Sequence, residues 1–131
     1  MVSQRHLVFV YGSLKKGFHN HWLLDKPDTK FIDDASSIAP NYAMVSLGSY
    51  PGLILGNQRV SGELYEVSED TFHSLDRLEG HPYVYKREQV RFKTVGKKVI
   101  EAWVYLFKDT DDHRSKTLTN CFWSDNEGLK R

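Results

Sequence analysis

The stretch Ser68-Glu69-Asp70-Thr71-Phe72-His73-Ser74-Leu75-Asp76-Arg77-Leu78-Glu79-Gly80-His81-Pro82 reads as a helix from one cap to the other. Ser68 suits the N-cap, and Glu69 and Asp70 put negative charge in the first turn, where the helix dipole favours it. Phe72, Leu75 and Leu78 recur at helical spacing and predict one apolar face. Gly80 fits the left-handed residue that ends a helix, and Pro82 blocks continuation. Its flanks have a different period. Arg59 to Val67 (RVSGELYEV) alternates as a strand does, with Gly62 marking a bulge or a close backbone approach. Val84 to Lys93 and Lys98 to Phe107 are strand-like runs joined at Thr94-Val95-Gly96-Lys97, a hairpin signal.

Toward the N-terminus the strand signals continue. His6 to Tyr11 (HLVFVY) is a compact β-branched and aromatic run that stops at Gly12. Asn20 to Asp25 (NHWLLD) reads as a short helical turn. Thr29 to Ile38 and Tyr42 to Leu47 read as strands broken at Pro40-Asn41, and Tyr50-Pro51-Gly52 as a further turn before Leu53-Ile54-Leu55. From Asp109 the chain turns polar (DTDDHRS), and Leu118 to Arg131 reads as a tail packed through Phe122 and Trp123. There is no repeat, low-complexity tract or linker. Counting period matches gives one α/β domain with about six strands and about one long helix.

Composition sets the bounds. A chain of 131 residues, 40% hydrophobic and 27% charged, suits one soluble globular domain with a modest cleft. Aromatic residues at 13% suit a β-rich core and an aromatic-lined pocket. The net charge of +1 gives no field of one sign, so neither nucleic acid nor an anionic membrane is an expected partner. Lys15-Lys16, Lys97-Lys98 and Lys130-Arg131 read as solvated turns and an end. Cys121 is the only cysteine, which fits a reducing compartment. Leu7–Val10 is too short for a signal-peptide core or a membrane span, so the expected location is the cytoplasm.

Three constellations can carry chemistry. Tyr11-Gly12-Ser13-Leu14-Lys15-Lys16-Gly17 follows a buried strand, and its uncovered N–H groups suit a carboxylate or an oxyanion. The pattern also fits a plain strand-ending turn. Glu79 falls at the end of the helix, where dipole and burial would raise its pKa toward the range useful for proton transfer. A solvated surface glutamate is the other reading. Tyr83-Val84-Tyr85-Lys86-Arg87 follows, with Arg87 able to pair with a carboxylate on a substrate or on the protein, or to sit in water over cross-strand packing. His19-Asn20-His21 with Asp33-Asp34 lacks a third ligand at a recognisable spacing, so no metal site is expected. Cys121 has only a distant His113 for a base, and Ser13, Ser49 and Ser61 lack a nucleophile elbow.

In this order, Tyr11 to Gly17, Tyr50-Pro51-Gly52, Gly62 to Val67, Leu75 to Gly80 and Tyr85-Lys86-Arg87 resemble the γ-glutamyl cyclotransferase-like family, in particular its γ-glutamylamine cyclotransferase, AIG2-like branch. The resemblance runs from about His6 to Phe107. It implies a single α+β domain over residues 1–131, a small mixed barrel-like β-sheet with flanking helices, with a tail over 109–131. It also implies release of 5-oxoproline from a γ-glutamyl-amine or γ-glutamyl amino acid without metal or cofactor. By the same resemblance Glu79 is the acid/base, and Tyr11, Gly12, Ser13, Leu14, Tyr85 and Arg87 bind the substrate.

A γ-glutamyl amide carries its own nucleophile, since its α-amine can close a five-membered lactam on its own γ-carbonyl. The absence of a recognisable nucleophile and metal set is what such a reaction permits. The expected partner is therefore a small γ-glutamyl molecule, with the monomer as the default state. Alternatives are a non-catalytic small-molecule binding domain of the same fold and a lyase trimming a γ-glutamyl group from a natural product or modified polyamine. A nucleic-acid-binding β-barrel ranks last.

Overall fold

The computed structural model describes residues 4–18, 20–47 and 51–108, together with the backbone of 117–119. Strand β1 (Arg5–Val10) leads through a loop and a single 3₁₀ turn (His21–Leu23) into β2 (Lys30–Ser37), β3 (Tyr42–Ser46), β4 (Pro51–Leu55) and β5 (Ser61–Ser68). Helix α1 (Glu69–Glu79), β6 (Tyr85–Thr94), β7 (Val99–Phe107) and β8 (Thr117–Thr119) complete the described elements. Five strands close a barrel in the order β1-β5-β2-β6-β7, and β4-β3-β8 form a separate three-stranded sheet. All barrel pairings are antiparallel except β1 with β7, which run parallel where the barrel closes.

The two-residue period of the strands divides the barrel wall into two faces. Phe9, Ala35, Leu64, Phe92, Ala102 and Val104 belong to one core, where the Phe9 and Phe92 rings stack at 4.0 Å. Their neighbours Val8, Val10, Tyr65, Val67, Tyr85 and Tyr105 build a second core with Phe72 and Leu75 of α1. Burial of each of those two helix side chains contributes roughly 2 kcal/mol to docking the helix. Gly62 is a close approach rather than a bulge, because a Cβ there would lie 2.2 Å from the Val10 carbonyl oxygen.

The helix begins and ends as its sequence dictates. The Ser68 side chain accepts from the Thr71 N–H, and Gly80 closes the helix at φ 65°. Leu78 departs from the expected apolar face and stands 41% exposed, because it borders an open cleft rather than the core. Pro51 and Gly52 are also not a turn, since they begin β4 opposite Ser46 and Val45; Tyr50 lies outside the described residues. Lys15 is buried rather than solvated, with its Nζ 5.2 Å from the Phe18 ring centre. His19, Cys121, His113, Phe122 and Trp123 lie outside the described residues, and of the tail only the β8 backbone, paired with β3, is described. No helix among the described residues is long and apolar enough to cross a membrane.

Candidate active site

A cleft of about 250 Å³ opens where the end of β1, the end of α1 and the strands β6 and β7 meet. Its floor is the loop that ends β1. Gly12 packs so closely on Pro51 that a Cβ would lie 2.6 Å from the proline ring, a separation only glycine permits. The 3₁₀ turn braces the loop: Asn20 donates from its backbone N–H to the Ser13 carbonyl and from Nδ2 to Ser13 Oγ, both at 2.9 Å. His21 Nδ1 lies 2.9 Å from the Leu14 carbonyl oxygen. The N–H groups of Ser13 and Leu14 have no acceptor among the described residues.

The walls are aromatic. The Tyr11 hydroxyl donates to the backbone carbonyl of Tyr105 at 2.6 Å, and the Tyr85 hydroxyl donates to that of Pro51 at 2.8 Å. Both rings are nearly fully buried. Burial, then the neighbouring Tyr85 and Glu79, pushes the Tyr11 hydroxyl well above its ordinary pKa, so it stays a neutral donor. Leu78 and Val84 form a half-exposed apolar rim.

Glu79 enters from the last residue of α1, and the left-handed Gly80 turns the chain immediately behind it. Removal from water pushes its carboxyl up to about 7, so it shares its proton almost equally with the medium at neutral pH. A group so poised can both accept and return a proton.

Glu79, Tyr11, Gly12, Ser13, Leu14 and Tyr85 all line this one cleft. Arg87 does not join them. Its Nε and terminal nitrogen bond both oxygens of Asp76 at 2.9 and 3.2 Å, and its guanidinium lies 4.4 and 4.5 Å from the Phe72 and Trp103 ring centres. Asn20, Pro51, Arg77, Val84 and Tyr105, to which the sequence assigned no role in the site, also line the cleft.

A family model described as gamma-glutamyl cyclotransferase, AIG2-like, matches residues 8–125. The chain belongs to this family. The match extends past Phe107, where the recognisable motifs end. Among the curated relatives of this cyclotransferase-family chain is a provisional gamma-glutamylcyclotransferase of Vibrio cholerae, 40% identical over 114 residues, which are 87% of this chain and 90% of that one. Another, provisionally named likewise and from Methanocaldococcus jannaschii, is 42% identical over 107 residues, 79% of this chain and 85% of that one. The crystal structure of a mouse AIG2-like protein superposes with a TM-score of 0.70 at 25% identity, covering 79% of this chain and 77% of the mouse one.

Proposed function

We propose that the protein is a γ-glutamyl cyclotransferase that converts a γ-glutamyl-amine or γ-glutamyl amino acid into 5-oxoproline and the free amine. Family membership and the names of its relatives support cyclotransferase activity in general. The observation that carries the mechanism is a glutamate held near pH 7 in a small cleft, facing a loop with unspent N–H donors. In this reaction the substrate α-amine forms the new C–N bond to its own γ-carbonyl carbon, and the original amide C–N bond breaks. Glu79 takes one proton from the α-ammonium to free the attacking amine, the ring nitrogen gives up a second as the lactam closes, and the departing amine takes up both and leaves as an ammonium, so atoms and charge balance without a further reactant.

The protein's remaining task is geometric. Folding the γ-glutamyl chain so that amine meets carbonyl makes the attack intramolecular, an effect worth up to about 7–11 kcal/mol. The Ser13 and Leu14 N–H groups suit the α-carboxylate or the developing oxyanion, and the neutral Tyr11, together with the Tyr85 ring, shapes the walls. Leu78 and Val84 at the rim favour a leaving group with an apolar portion.

The test incubates the purified protein with γ-glutamyl amino acids, γ-glutamyl-ε-lysine and γ-glutamyl polyamines and follows 5-oxoproline, beside a Glu79→Gln control. Release that vanishes in the control is the expected result. Release that persists in Glu79→Gln removes the assigned acid/base. Binding by calorimetry without turnover of any compound would identify a binding domain of the same fold.

A further inference from the structure

Asp76 stands three residues before Glu79 on the last turn of α1, yet its side chain faces away from the cleft opening and into a set of bonds. The β6–β7 ladder places Arg87 directly opposite Tyr105. Both strands present these side chains on the face that packs α1, and both polar ends meet the same carboxylate. Arg87 grips it as a fork, and the Tyr105 hydroxyl donates to Oδ1 at 2.6 Å. The Asp76 carbonyl accepts the His81 N–H at 2.9 Å, and the Arg87 N–H donates to His81 Nδ1 at 3.2 Å. The turn that follows Glu79 is therefore held by the same group. On the other side, Tyr105 lines the cleft and its carbonyl takes the Tyr11 hydroxyl.

We propose that Asp76 is a positioning residue of the cleft: clasped by Arg87 and Tyr105, it fixes the last turn of α1, and Glu79 with it, against the wall formed by β6 and β7. The inference rests on the cyclotransferase reading for its kinetic consequences but not for its electrostatic ones. Arg87 is engaged within the protein rather than in the cleft lining, since its Nε and one terminal nitrogen bond Asp76 and its guanidinium lies against the Phe72 and Trp103 rings. Its charge compensates that of Asp76, so Glu79 does not face an uncompensated anion one turn away. The other titratable and charged groups near Glu79 are Tyr11 from the loop after β1, Tyr85 from β6, Tyr105 from β7, Arg77 of its own helix and His81 of the following turn.

Two readouts test the clasp in Asp76→Asn, Arg87→Gln, Arg87→Lys, Tyr105→Phe and the Asp76→Asn/Arg87→Gln pair. In 5-oxoproline release, Tyr105→Phe, Asp76→Asn and Arg87→Lys are expected to lower kcat about 10- to 100-fold while KM moves less than about threefold, the cost of a misplaced catalytic group. By ¹³C NMR titration of the Glu79 carboxyl, Arg87→Gln should raise the midpoint by roughly half a pH unit or more, because Asp76 is left as a bare anion. Asp76→Asn should lower it by a similar amount, and the pair should restore it. Shifts of opposite sign are not what general loosening produces.

Unchanged kcat in Tyr105→Phe, which removes one oxygen and so keeps its fold, would overturn the proposal. So would a Glu79 midpoint that stays put, or moves in the same direction, in the two charge-altering variants. If the wild-type protein releases no 5-oxoproline, the reaction assigned above fails, and the titration alone decides the clasp.

Discussion

The clasp and the cleft hold the two carboxylates of one helical turn in opposite conditions. Asp76 and Glu79 share the C-terminal end of α1, where the macrodipole disfavours both. Burial pushes the Asp76 carboxyl up, but hydrogen bonds from Arg87 and Tyr105 and the Arg87 charge outweigh it and hold the group below the usual range. On Glu79 it is burial that acts, and the carboxyl is pushed up to about 7. Position on the helix therefore does not decide ionisation. What each side chain finds on the facing strands decides it, a fork on β6 for Asp76 and uncharged tyrosines for Glu79.

The largest effect separating the two should be kinetic. Glu79→Gln is expected to lower kcat for 5-oxoproline release by about 10³-fold, within the range for loss of a general acid/base. In the wild type kcat should fall about tenfold per pH unit as the medium drops below about 7 and Glu79 takes up its proton. A flat profile from pH 5 to 8 would erase the contrast.

Stability should show the reverse ranking. Asp76→Asn breaks a partly buried pair and should cost about 2–3 kcal/mol at pH 7, read by urea unfolding. The Asp76 carboxyl is depressed in the folded state, so its contribution is full above its unfolded pKa and fades as pH falls through the folded value. The variant and the wild type should therefore converge in acid, once the pH has fallen below the depressed folded-state pKa of Asp76.

Glu79 should behave oppositely and somewhat more weakly. Its folded pKa of about 7 lies above the ordinary 4.5, so the folded state holds the proton more tightly. Its ionisation penalty is absent below pH 4.5 and grows as pH rises to about 7. Glu79→Gln should accordingly gain about 2 kcal/mol of stability at pH 8 relative to the wild type, and almost nothing at pH 4. A variant destabilised at pH 8 would show that Glu79 is held by a favourable partner. The smallest effect concerns the turn that separates cleft from clasp: Gly80→Ala forces a side chain to φ 65° with its Cβ 3.0 Å from Val84, and should cost about 1 kcal/mol by thermal unfolding.

The legible parts of the fold were those written in neighbouring residues. Ser68, Glu69, Asp70, Gly80 and Pro82 bound α1 because caps act over one turn, and the strands around it follow a period of two. Barrel closure was not legible locally, since it rests on Val8 beside Trp103, partners far apart in the chain. Pro51-Gly52 read as a turn because those residues usually break strands, yet β4 begins there on the close contact with Gly12. Within the site, Glu79 and the Gly12 loop were visible as motifs. Tyr105 was hidden in an apolar run, but the hairpin held the clue. Counting back from Lys93 opposite Val99 brings Arg87 opposite Tyr105, whereas the bonds of both to Asp76 join strand to helix and are not written in any local pattern.

Because the β6–β7 ladder runs from Tyr85 opposite Phe107 to Lys93 opposite Val99, the Val95–Lys98 turn sits at the far end of both strands from the cleft. That turn is a natural handle. A cysteine introduced at the 70% exposed Val95 would carry a fluorophore or a tether to a sensor surface, leaving the mouth of the cleft open to solvent and to whatever molecule is screened against it.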